Sequence, residues 1–163
     1  MIVHPNCKIN LGLNVVAKRP DGYHNLETIF LPVPLCDTLE IEPADTFSFA
    51  QEGITLDNVP EDNLCVKAYR LMQSAFPGMP PVRMRLEKHI PFGAGLGGGS
   101  SDAAFVLRTL RDLFHLNASD SELERMAAQL GADCAFFIKD LPAYATGIGD
   151  QLEPVEVYVS PYR

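Results

Sequence analysis

Residues 91 to 104 read PFGAGLGGGSSDAA: Gly93, Gly95, Gly97, Gly98 and Gly99 crowd together ahead of two serines and a helix-forming run. A segment without side chains lets backbone N–H groups approach a ligand closely. The helix behind it aims its free N–H groups and the positive end of its dipole at the same point. Phosphate is the ligand that suits such a place best. A flexible linker is the competing reading, but linkers are not followed at once by Asp102-Ala103-Ala104 and an apolar helical pattern.

Two common phosphate loops do not fit. Gly93-x-Gly95-x-x-Gly98 matches the dinucleotide fingerprint by letter, yet that fingerprint needs an acid about twenty residues on, at the end of a second strand. Here Asp112 falls in the last turn of the same helical pattern, which runs to about Phe114. A Walker A loop fails as well, because no Gly-Lys-Ser/Thr closes the run. What remains is a glycine loop opening a helix, whose Ser100 and Ser101 hydroxyls can bind phosphate oxygens or a magnesium ion.

Outward from the loop, Val82, Met84 and Leu86 alternate with Arg83, Arg85 and Glu87, a half-buried strand leading into it. Upstream, Ile2 to Val16 reads as strand with a break at His4-Pro5-Asn6, and Arg19-Pro20-Asp21-Gly22 is turn chemistry. Short strands are expected over Leu26 to Pro32, Asp37 to Glu42 and Thr46 to Ala50. Asp57 to Asp62 is a polar loop, after which Asp62 or Asn63 caps a helix to about Phe76, stopped by Pro77-Gly78. Downstream, the loop's own helix is expected from about Ser101 to Phe114. Ser119-x-x-Glu122 is a capping box that opens a third helix, ended by Gly131. Cys134 to Ile138, Ala143 to Thr146 and Val155 to Val159 are expected as strands. The sum is an α+β domain, a mixed β-sheet with about three helices, over residues 1–163.

Bulk properties narrow the function. A chain of 163 residues, 47% hydrophobic and 21% charged, can bury a real core. Its net charge of −8 excludes a general nucleic-acid binder, which needs a basic face, but not a nucleotide binder. Cys7, Cys36, Cys65 and Cys134 are scattered without a CxxC pair, so they read as reduced thiols in a cytoplasmic protein. Lys8 and Asn10 interrupt the apolar N-terminal segment, which is not a signal peptide, and no apolar run reaches membrane-spanning length.

Pro91 to Ser101 closely resembles the phosphate loop of the GHMP kinases, which phosphorylate small-molecule alcohols with ATP. Cys7-Lys8-Ile9-Asn10-Leu11-Gly12-Leu13, followed by Arg19-Pro20-Asp21-Gly22-Tyr23-His24, resembles the opening of one branch of that family. Gly131-Ala132-Asp133-Cys134-Ala135-Phe136-Phe137 resembles the branch's catalytic aspartate segment, and Ala145-Thr146-Gly147-Ile148-Gly149 is also in its style. The resemblance implies the N-terminal domain of the GHMP kinase fold, with ATP and Mg2+ as cofactors. It further implies a cytidine-linked alcohol as substrate, in the synthesis of isoprenoid precursors.

On that resemblance, Asp133 is the general base for the alcohol and Lys8 its partner, polarising the hydroxyl and stabilising the transferred phosphoryl group. By residues alone, the favoured readings are a turn aspartate for Asp133 and a solvent-facing strand residue for Lys8. The resemblance assigns ATP to Pro91, Gly93, Gly95, Leu96, Gly97, Gly98, Gly99, Ser100 and Ser101, and to Asn63 and Lys88. For the last two, a helix cap and a solvated charge compete. Asn10, Tyr23 and His24 are implied to bind substrate, the aromatic by stacking on cytosine and the histidine by hydrogen bonding. No carboxylate pair declares itself as a metal site.

Family members continue for about another hundred residues into a second domain, so the resemblance implies a first domain alone, with self-association possible through the face left bare. Other GHMP kinases (homoserine, mevalonate or sugar kinases) and a catalytically silent nucleotide-binding domain are the alternatives. A dinucleotide-dependent oxidoreductase is a further one.

Overall fold

Pro5 separates two sheets. The computed structural model describes residues 1–20, 22–54 and 62–158. In it β1 (Ile2–Val3) and β2 (Asn6–Lys18) belong to different sheets, so the break expected at His4-Pro5-Asn6 is a change of layer. β2 pairs antiparallel with β3 (His24–Cys36), one long hairpin, and the sheet continues through β7 (Ala143–Thr146) and β8 (Gln151–Pro154) in the order β2-β3-β7-β8. The other sheet runs β1-β4-β6-β5, with β4 (Thr38–Pro43) antiparallel and β5 (Ser48–Gly53) parallel to the central β6 (Val82–Lys88).

β6 buries every second residue, and the alternation carries past Val82, Met84 and Leu86 onto Lys88. Its buried face packs with Leu39 and Ile41 of β4 beneath two helices that pack on each other, α1 (Leu64–Ala75) and α2 (Gly98–Leu113). Asn63 caps α1, its Oδ1 accepting from the Cys65 N–H at 2.9 Å. α2 runs through the middle of the domain, with Ala103, Ala104, Val106, Leu107 and Leu110 fully buried. It begins at Gly98, earlier than the expected Ser101, so the last glycines of the loop form its first turn. α3 (Asp120–Ala127) opens on the capping box read from the sequence: the Ser119 hydroxyl accepts from the Glu122 N–H, and the Glu122 carboxylate accepts from the Ser119 N–H.

Two expected strands are corrected. Cys134 to Ile138 is a turn followed by a single-turn helix, α4 (Phe136–Lys139), held by Cys134 N–H to Gly131 O at 3.1 Å and Ile138 N–H to Ala135 O at 3.2 Å. All five residues are buried, and a run that is apolar on every side carries no period to separate strand from helix. Among the described residues the last strand is Gln151–Pro154, and residues 155–158 of the expected Val155 to Val159 strand are outside it, since its partner β7 ends its register at Ala143 opposite Pro154. Of the other expectations, Asp21, most of the Asp57 to Asp62 loop and Val159 lie outside the described residues.

Candidate active site

The glycine loop is tied at its middle to β2, where Lys8 N–H donates to the Leu96 carbonyl at 2.9 Å. Gly93, Gly95 and Gly97 take φ of 69°, 73° and 70°, the left-handed region that a side chain penalises. A Cβ on Gly93 or Gly95 would meet nothing within 4 Å, so this side of the loop faces open space. One on Gly97 would lie 3.0 Å from the Phe137 ring and 3.4 Å from Lys8 Cε. Gly97 caps α2 without any side-chain acceptor, which leaves the first N–H groups of the helix for a ligand. The Ser101 hydroxyl is buried at this end without a partner, while Ser100 faces the Cys134 thiol.

Beside the loop, Lys8 and Asp133 come together. Lys8 Nζ lies 3.3 Å from Asp133 Oδ2, donates to Asn10 Oδ1 at 2.7 Å and sits 4.3 Å from the centre of the Phe30 ring. The lysine side chain is 5% exposed and the aspartate 30%, so the ammonium is fixed while the carboxylate remains open to a substrate. Gly149 lies against this pair, the position of a Cβ on it being 3.6 Å from Asp133 Oδ1. Gly149 closes the Ala145–Gly149 motif of the sequence, and no local signal there marks its place against Asp133. Burial pushes the neighbouring Cys134 thiol up to about 11, against a hydrogen bond with Ser100, so it stays protonated at neutral pH and is no nucleophile.

The remaining predicted residues are placed differently. Tyr23 and His24 lie at the far end of the β2–β3 hairpin, both exposed. His24 pairs with Lys18 and Pro32 with Lys8, so roughly 26 Å of strand path separates the hairpin tip from the lysine. Asn63 is a helix cap whose amide also donates to Gln51 at 2.9 Å. Lys88 is no solvated charge: it is 1% exposed, beneath the start of α2, with its ammonium on Asp37 and on Asp102 Oδ2. Burial works against that charge, but the two carboxylates outweigh it and hold the ammonium above its ordinary pKa. Asp37 and Asp102 are the residues that sequence reasoning missed. Among the described residues no cluster of His, Cys, Asp and Glu could hold a metal, and no helix is long and apolar enough to cross a membrane.

An open glycine loop at a helix start, flanked by a Lys–Asp pair, is the defining arrangement of the site. Residues 63–140 match the model of the GHMP kinases N terminal domain, and the chain has that domain's fold. Over its whole length it is 54% identical to the 4-diphosphocytidyl-2-C-methyl-D-erythritol kinase of Bacteroides fragilis, covering 61% of that protein. The kinase of the same name from Parabacteroides distasonis is 52% identical over 99% of the chain, which covers 59% of that relative. The chain thus spans about three fifths of the relatives it matches. Among solved structures, a 4-(cytidine 5'-diphospho)-2C-methyl-D-erythritol kinase superposes with a TM-score of 0.84 at 40% identity, over 97% of this chain and 56% of that one. A mevalonate kinase reaches 0.74 at 14% identity, over 96% and 56%, a likeness of fold alone.

Proposed function

We propose that this chain is the ATP-binding part of a cytoplasmic kinase that phosphorylates a hydroxyl of 4-diphosphocytidyl-2-C-methyl-D-erythritol, in isoprenoid precursor synthesis. The observation that carries the reading is the Lys8–Asp133 contact at 3.3 Å beside the glycine loop. Phosphoryl transfer asks for positioning and charge stabilisation, and these parts supply both. Pro91 to Ser101 cradle the phosphates of ATP through the loop N–H groups and the α2 terminus. Asp133 takes the proton of the attacking hydroxyl as the new O–P bond forms and ADP departs. Lys8, held in line by Asn10 and Phe30, steadies the negative charge that develops on the transferred group.

Magnesium fits this site as a companion of ATP. The donors at the loop are serine hydroxyls, with no carboxylate cage, which suits an ion held mainly by phosphate oxygens and water. When bound, it supplies charge neutralisation along the triphosphate. At the hairpin tip, Tyr23 and His24 are the residues assigned to cytosine.

The test is ADP release with magnesium-ATP, with and without the cytidine-linked alcohol, beside homoserine, mevalonate and sugar acceptors. Release that depends on the cytidine-linked substrate alone is expected. Release driven by another alcohol would reassign the substrate, and tight nucleotide binding with no release from any acceptor would mark the chain as catalytically silent.

A further inference from the structure

The ion cluster beneath the glycine loop joins both of its ends. Lys88 and Ile90 lead into the loop and Asp102 lies just past it, in the first turns of α2. Lys88 Nζ donates to Asp102 Oδ2 at 2.7 Å and to Asp37 Oδ2, and all three side chains are at most 3% exposed. Asp37 joins β3 to β4; its other oxygen accepts from the N–H groups of His89 and, at 2.8 Å, Ile90. The ammonium lies one layer under the loop, 3.2 Å from where a Cβ on Gly98 would stand.

The geometry points to Asp37, Lys88 and Asp102 as positioning residues: a buried clamp that sets the spacing of the loop's two ends and so aims its N–H groups at phosphate. Two acids on one base make a poor source of stability, because apolar side chains of the same volume would serve as well. They do fix one geometry, since the Lys88 ammonium and both Asp37 oxygens have set partners. Asp102 Oδ1 has none among the hydrogen bonds present. The inference rests on the nucleotide reading above for its purpose, but the clamp itself can be tested without nucleotide.

Asp102→Ala is the informative change, because it leaves Lys88 and Asp37 as a balanced pair while cutting the link to α2. Hydrogen exchange of the loop amides, residues 93–98, should speed up by about tenfold or more, the scale of a lost hydrogen bond to a charged group. Exchange in the second half of α2 should stay as in the unaltered chain. Asp102→Asn, which keeps an acceptor for Lys88, should restore loop protection, and Asp102→Leu replaces alanine if the cavity prevents folding. Unchanged loop exchange in the alanine or leucine variant overturns the clamp, as does a uniform rise across the whole domain that asparagine does not rescue. Titration with AMP-PNP separates the two readings. If the unaltered chain does not bind it, the nucleotide assignment fails while exchange still decides the clamp. If it binds, Asp102→Ala should weaken binding by about tenfold and Asp102→Asn should not.

Discussion

Replacing Lys88 by Met keeps most of the side chain's volume and removes only its charge. Asp37 and Asp102 would then face one another, 0% and 3% exposed, with no cation between them. Removing one partner from a buried ionic group costs about 3–5 kcal/mol, because the charge left behind has lost both water and its counter-ion. That is a large part of the roughly 5–15 kcal/mol that holds a domain together. At this chain length it corresponds to a fall in melting temperature of roughly 6–20 °C. The assay is urea and thermal denaturation at pH 5 and pH 8. The loss should be smaller at pH 5, where Asp102, with its carboxyl raised to about 7, carries a proton and the repulsion is relieved. Adding Asp102→Asn to Lys88→Met should recover at least about 1 kcal/mol, since a single carboxylate then remains and still accepts from His89 and Ile90. A Lys88→Met variant that melts within about 2 °C of the parent at pH 8 would refute the reasoning.

The pH dependence of the unaltered chain follows from the same group. Asp102 is raised in the folded state, so its contribution to stability is full below about pH 4 and is lost as pH rises through about 7. The melting temperature of Asp102→Asn relative to the parent should therefore climb between pH 5 and pH 8, and a flat difference would contradict the assignment. Asp133→Asn should lower turnover by about two orders of magnitude or more while leaving AMP-PNP affinity within about threefold; retained turnover removes the general base. Gly97→Ala places a Cβ 3.0 Å from Phe137 at φ 70°. It should cost about 1–2 kcal/mol of stability and weaken nucleotide binding, and an affinity equal to the parent's would show that the loop's left-handed turn is not needed for phosphate.

Local signals carried much of the fold. The Asn63 cap, the Ser119–Glu122 capping box, the alternation of β6 and the break at Pro5 are all written in neighbouring residues, and each was readable because its cause spans only a few positions. The alternation of β6 even placed Lys88 on the core face, a signal that a search for solvated charges passes over. Cys134 to Ile138 went the other way, because burial on all sides erased its period.

By itself, then, the sequence determined that a glycine loop opens a helix, that Lys8 and Asp133 are candidates for one chemistry, and that the chain is α+β. Only the tertiary structure decided which charges meet. Lys8 reaches Asp133 because β2 runs beneath the loop that precedes α2, and Lys88 finds Asp37 and Asp102 at sequence separations of 51 and 14. Those pairings depend on how two sheets and a central helix stack. No spacing along the chain encodes that distance, so the clamp under the loop becomes visible only once the layers are packed.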